Sequence, residues 1–179
     1  TSRLNGGLLA AFLMKLFGKE SLFVSCFLNK SQKKQRLVLT QAVPGQIIEK
    51  ELTNEEIFLQ PGAFIACTSR VKSKVKWAGL SSWILGEGLF RLQISGSGKC
   101  WYGGYGSIVE RKITNSYVID TGHLLSYPKK VKIKLRLSGG LFSSFFGGEG
   151  FVAELRGSGK VQIQTRSIDG LAKWLNPKF

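Results

Sequence analysis

VKIKLRL, Val131–Leu137, alternates without a break: Val131, Ile133, Leu135 and Leu137 fall on one side, Lys132, Lys134 and Arg136 on the other. A period of two marks a strand with one face buried and the other in water. VKSKVKW, Val71–Trp77, has the same grammar, setting Lys72, Lys74 and Lys76 against Val71, Val75 and Trp77. Both runs are read as half-buried strands with a cationic outer face.

Their surroundings recur as well. GEGLFRLQISGSGK (Gly86–Lys99) returns as GEGFVAELRGSGK (Gly148–Lys160), and IFLQPGAFIACT from Ile57 corresponds to YVIDTGHLLSY from Tyr117. Val71 pairs with Val131 at an offset of 60, Gly96 with Gly157 at 61. NGGLLAAFLMKLFGKESLFVSCF opens the chain as a more worn copy. The expectation is one mainly β domain of three related units, about 1–56, 57–116 and 117–179, the first lacking its leading hairpin. The units are expected to be β-sandwich or β-helix-like, in pseudo-threefold arrangement with short helical inserts. The Gly-Ser-Gly-Lys segments read as hairpin turns, and RLVLTQAVPGQIIEKEL (Arg36–Leu52) as a strand pair turning at Pro44 and Gly45. The i, i+1, i+4, i+5 apolar spacing predicts a short helix in LLAAFLMKLF (Leu8–Phe17) and single helical turns in LSSWIL and LFSSFF.

Charge narrows the partner. The 179 residues carry 26 lysines and arginines against 11 acids, a formal net charge of +15, beyond what solubility requires and in keeping with an anionic partner. The basic residues cluster: no acid lies between Glu20 and Glu49, Glu56 and Glu87, or Asp120 and Glu149. Cys26, Cys67 and Cys100 are odd in number and far apart, so they read as buried free thiols in a reducing, cytoplasmic compartment and not as a disulfide framework. The run Leu8–Phe17 contains Lys15 and is too short to cross a bilayer as a helix.

Catalytic readings find little support. SGSGKC and RGSGKV miss the phosphate-binding loop, with Gln93 where its first glycine belongs and Cys100 or Val161 where a Ser or Thr would hold magnesium. His123, in DTGHLL, reads as a turn residue beside an Asp that bonds its own backbone. Glu20, Glu87 and Glu149 recur once per unit and read as repeated structural devices rather than cation ligands. No catalytic residue, metal, cofactor or small-molecule substrate is indicated.

Taken together, TSRLNGGLL, GKESLF, PGAFIAC, GEGLFRLQISGSGK, VIDTGHLLSY and GGEGFVAELRGSGKVQIQTRS resemble the mitochondrial-biogenesis family named for altered inheritance of mitochondria, in a bacterial-type member. The resemblance implies a fold similar to the tryptophan RNA-binding attenuation protein and a role as scaffold or organiser, with no catalytic chemistry to carry over.

The expected function is therefore a non-enzymatic scaffold. Lys72, Lys74, Lys76, Lys132, Lys134 and Arg136 would meet an anionic membrane surface peripherally, while Trp83, Ile84, Phe142, Phe145 and Phe146 in the inserts would touch lipid or a partner subunit, a second copy or another protein. The alternative is RNA or single-stranded nucleic acid, with the same cations on phosphates and Trp101, Tyr102 and Tyr105 stacking bases.

Overall fold

The computed structural model describes residues 2–4, 23–77, 90–137 and 151–176. Two short strands, β1 (Ser2–Leu4) and β2 (Phe23–Ser25), pair antiparallel. The body follows as β3 (Ile47–Leu59), β4 (Phe64–Cys67), β5 (Val71–Trp77), β6 (Phe90–Gly103), β7 (Ile108–Ile113) and β8 (Ser116–Asp120). After a 3₁₀ turn at Thr121–His123 come β9 (Leu124–Pro128), β10 (Lys132–Leu137), β11 (Phe151–Arg156), β12 (Gly159–Gln164) and helix α1 (Ile168–Leu175). The fold is mainly β, with antiparallel ladders and, among the described residues, no closed barrel.

Seven strands form one sheet, in the order β4, β6, β3, β9, β12, β7, with β5 paired to the first half of β6. A second sheet runs β10, β11, β8. Leu52, Ile57, Leu59, Val71, Leu92, Ile94, Cys100, Tyr102 and Leu125 make a first core from strands of the large sheet. The second core joins the two sheets: Ile113, Leu124, Tyr127 and Val161 come from the large one, Ala153 and Leu155 from the small one, with Val131 at the entry to β10. Removing these side chains from water supplies the main drive for folding.

At the positions whose side chains are described, the two basic strands alternate as predicted: Val71 and Val131 are buried, Val75 and Ile133 half-buried, and Lys72, Lys74, Lys76, Lys132 and Lys134 exposed. The side chains of Trp77, Leu135, Arg136 and Leu137 lie outside the described residues. The two ladders share a register. Lys72 faces Ser95 and Trp77 faces Phe90 in one; Lys132 faces Arg156 and Leu137 faces Phe151 in the other. Each is entered by the same turn, Val71 N donating to Thr68 O (3.0 Å) and Val131 N to Pro128 O (2.9 Å). No threefold arrangement is seen among the described residues, which leave out 1 and 5–22 of the first unit.

Three sequence expectations need correction. The first Gly-Ser-Gly-Lys segment is not a hairpin: β6 runs through it for 14 residues, because β3 pairs with it on both sides of the glycines. The second is a corner between sheets, since β11 pairs with β10 and β8 while β12 pairs with β7 and β9. Nor do Arg36–Val43 pair with β3. Gly45 is pinned beside Gly106 instead, Gly106 N donating to Pro44 O (3.1 Å) and Gln46 N to Gly106 O (2.9 Å), and β3 takes β6 as its partner. Leu37, Val38 and Leu39 are left exposed. The helix and helical turns expected at Leu8–Phe17 and in the inserts lie outside the described residues.

Candidate functional site: a cationic edge strand

β5 pairs only with β6 among the described strands, so it forms an edge. Val71 and Val75 turn into the first core, which forces the alternate side chains outward, and Lys72, Lys74 and Lys76 are all exposed. Successive lysines on such a face stand roughly 7 Å apart. Across the ladder they meet Ser95, Gln93 and Arg91, none of which is acidic. Arg91 donates from Nη1 to the Tyr127 hydroxyl (3.0 Å) and lies 5.8 Å from the centre of that ring, adding a fourth cation beside Lys76. Among the described residues no carboxylate is within ion-pair distance of the three lysines.

β10 differs in its neighbours. Lys132 and Lys134 are exposed, but Lys134 faces Glu154, which is only 8% exposed in the central strand of the small sheet. Arg156 grips that carboxylate from Nε (2.9 Å) and Nη2 (3.2 Å). A buried counter-charge therefore sits beneath this stripe, and two lysine-rich runs that look alike in sequence differ electrostatically. The stripes lie on different sheets. Trp83, Ile84, Phe142, Phe145 and Phe146 lie outside the described residues, as do Glu20, Glu87 and Glu149.

A groove of about 640 Å³ opens elsewhere, and sequence reading missed it. At its floor Gln162 Oε1 accepts from the Ser126 hydroxyl (2.6 Å) and the Tyr102 hydroxyl, and burial pushes the Tyr102 phenol up to about 12. Its rim is closed by the ion pairs Lys50–Glu55 (3.6 Å), Lys129–Glu56 (2.9 Å) and Lys160–Glu110 (2.7 Å). With these charges already matched, the groove exerts less pull on an anion than β5 does.

His123 has a structural role. Its Nδ1 donates to Gln164 O (2.8 Å), and Asp120 Oδ1 accepts from Gly122 N (2.8 Å), capping the 3₁₀ turn instead of orienting the imidazole. The buried Gln164 side chain accepts from Tyr105 N (2.9 Å) and donates to Gly122 O (2.8 Å), tying this turn to the chain after β6. The aromatic platform expected for nucleic acid does not form: Tyr102 and Tyr105 are buried, and the Trp101 indole donates to Glu49 (2.9 Å). Lys99 also donates to Glu49 (2.6 Å) and holds that carboxyl below its usual range.

The sequence profile of the mitochondrial biogenesis AIM24 family matches residues 1–166. The chain belongs to this family. An uncharacterized protein of Streptococcus pyogenes serotype M6 is 28% identical over 172 residues, 93% of this chain and 68% of the relative. A crystal structure of a Streptococcus pyogenes protein has a similar fold at a TM-score of 0.71 and 24% identity, over 99% of this chain and 82% of that one. The expected likeness to the tryptophan RNA-binding attenuation protein is not a finding of these comparisons. Among the described residues of this AIM24 family member, no helix is long and apolar enough to cross a membrane, which leaves crossing by strands untouched.

Proposed function

We propose that this protein is a non-catalytic scaffold that attaches peripherally to an anionic membrane surface through β5, alone or alongside a protein partner. The observation that carries this reading is the row Lys72, Lys74 and Lys76, exposed on an edge strand and facing no acid across the ladder. The net charge of +15 adds long-range attraction. Each lysine near such a surface contributes on the order of 1 kcal/mol, so the row supports reversible attachment without a lipid anchor. Edge lysines also discourage edge-to-edge pairing of sheets. That guarding role would show in solubility and leave vesicle binding unmoved.

Co-sedimentation with phosphatidylglycerol-containing vesicles at low salt tests the proposal, with neutral phosphatidylcholine vesicles as control. The parent chain is expected in the anionic pellet, and Lys72→Glu, Lys74→Glu and Lys76→Glu together should weaken binding by at least about tenfold. Absence of binding at low salt, or binding indifferent to the triple change, overturns it.

A further inference from the structure

Cys67 and Cys100 are 33 positions apart in sequence, yet the β4–β6 register sets one opposite the other. Directly opposed residues of an antiparallel pair share a face. Cys100 lies in the first core and Cys67 packs against it. The neighbouring rung fixes the kind of pair. Just past the end of β4, Thr68 N donates to Lys99 O (2.9 Å), and Lys99 N donates to the Thr68 side chain at Oγ1 (3.1 Å) in place of the return backbone bond. The backbone bond thus falls on residues 68 and 99 and not on the cysteine pair. Cys67 and Cys100 then occupy the non-hydrogen-bonded position, where Cα atoms are about 4.5 Å apart and side chains come closest. A disulfide spans Cα separations of about 4.4 to 6.8 Å.

We infer that Cys67 and Cys100 form a latent cross-strand disulfide, closed by an oxidant of the small-molecule disulfide class. Cys67 is partly exposed and Cys100 fully buried, so Cys67 is the point of entry. Its thiolate attacks one sulfur of oxidised glutathione, breaking that S–S bond, releasing one glutathione thiolate and leaving a mixed disulfide. The Cys100 thiolate then displaces the second glutathione. Two protein thiols are oxidised, one glutathione disulfide is reduced to two thiols, and the two protons pass to solvent or to the leaving thiolates.

Burial holds both thiols above their usual range, Cys100 at about 12, so closure waits on local opening of the edge strand β4 and is slow. Once made, the bond ties together the two ends of the segment that carries β5. The exposed Cys26 is the competing thiol.

The test uses the full chain carrying Cys26→Ser, incubated overnight with excess oxidised glutathione in mildly alkaline buffer, then alkylated and examined by intact mass, peptide mapping and thermal denaturation. The expected product is lighter by two hydrogens, resists alkylation, yields a peptide linking residues 67 and 100, and melts about 5–10 °C higher until reductant is added. Cys67→Ser and Cys100→Ser should each abolish the shift, and Cys67→Ser alone suffices as the control if Cys100→Ser does not fold. A glutathione adduct on Cys67 that never resolves, full alkylation of both cysteines, or a linkage appearing only above the melting midpoint overturns the inference.

Discussion

Gly157 has φ of +124°, and a Cβ there would stand 2.5 Å from the carbonyl oxygen of Lys130; Gly96, at +126°, would meet that of Arg70 at 2.4 Å. Each glycine lets one strand approach the turn that enters its basic neighbour. Gly157→Ala should therefore lose more than about 2 kcal/mol, combining backbone strain with a clash against main chain that cannot yield. Gly62 provides the comparison, because its φ is +84° but nothing lies within 4 Å of its Cβ position. Gly62→Ala should cost about 1 kcal/mol, conformation alone. Urea midpoints of both variants at unchanged denaturant slope check the difference. Tyr102 and Cys100 make a second prediction, since burial raises their values from 10.0 and 9.0 to about 12 each. A raised folded value means the folded state holds its proton more tightly. Their contribution is complete below the unfolded values and is lost as pH rises through the window from about 9 to 12. Melting temperature should fall across that window, and Tyr102→Phe should make the fall shallower.

At the scale of elements, cross-strand neighbours decide what a basic strand presents. Because Glu154 lies under β10 and no acid faces β5, Lys132→Glu with Lys134→Glu should weaken anionic-vesicle binding less than the triple change on β5. Glu154→Gln should strengthen it, by up to about fivefold for one charge, in the same co-sedimentation. Alternation made both strands legible, since a period of two survives any choice of partner. The partner itself leaves no mark among a strand's own residues, so Glu154 stayed hidden as the counter-charge and Cys67 as the neighbour of Cys100. The glycine segments were misread for a related reason. A positive φ is needed equally by a hairpin and by a strand passing close to another's carbonyl, and the latter depends on residues distant in sequence. Helix α1 was missed although Ser167 caps it, Asp169 stands in its first turn and Pro177 follows it. Ile168, Leu171 and Leu175 do repeat at i, i+3 and i+7, so its apolar stripe is present in the sequence; in the fold that stripe is exposed, since none of the helix's residues is buried.

For the whole molecule, the acids are concentrated as much as the bases. Four of the 11 stand on β3, as Glu49, Glu51, Glu55 and Glu56, and three of these engage Lys99, Lys50 and Lys129. This local matching around β3 leaves the excess positive charge to other surfaces, β5 among them. Membrane attachment of this kind should be steeply salt-sensitive, because the screening length contracts from about 30 Å at 0.01 M to about 8 Å at 0.15 M salt. Repeating the co-sedimentation at the two salt levels should show most binding lost at the higher one, and salt-independent retention would point to apolar contact instead. The long strand β6 carries a different implication. It is laddered to β3, β4 and β5, so adding or deleting one residue within it would transfer the side chains beyond that point to the opposite face of more than one ladder. A one-residue insertion within β6 should therefore cost more stability than one within residues 27–40, which belong to no ladder and can lengthen or shorten without disturbing any register.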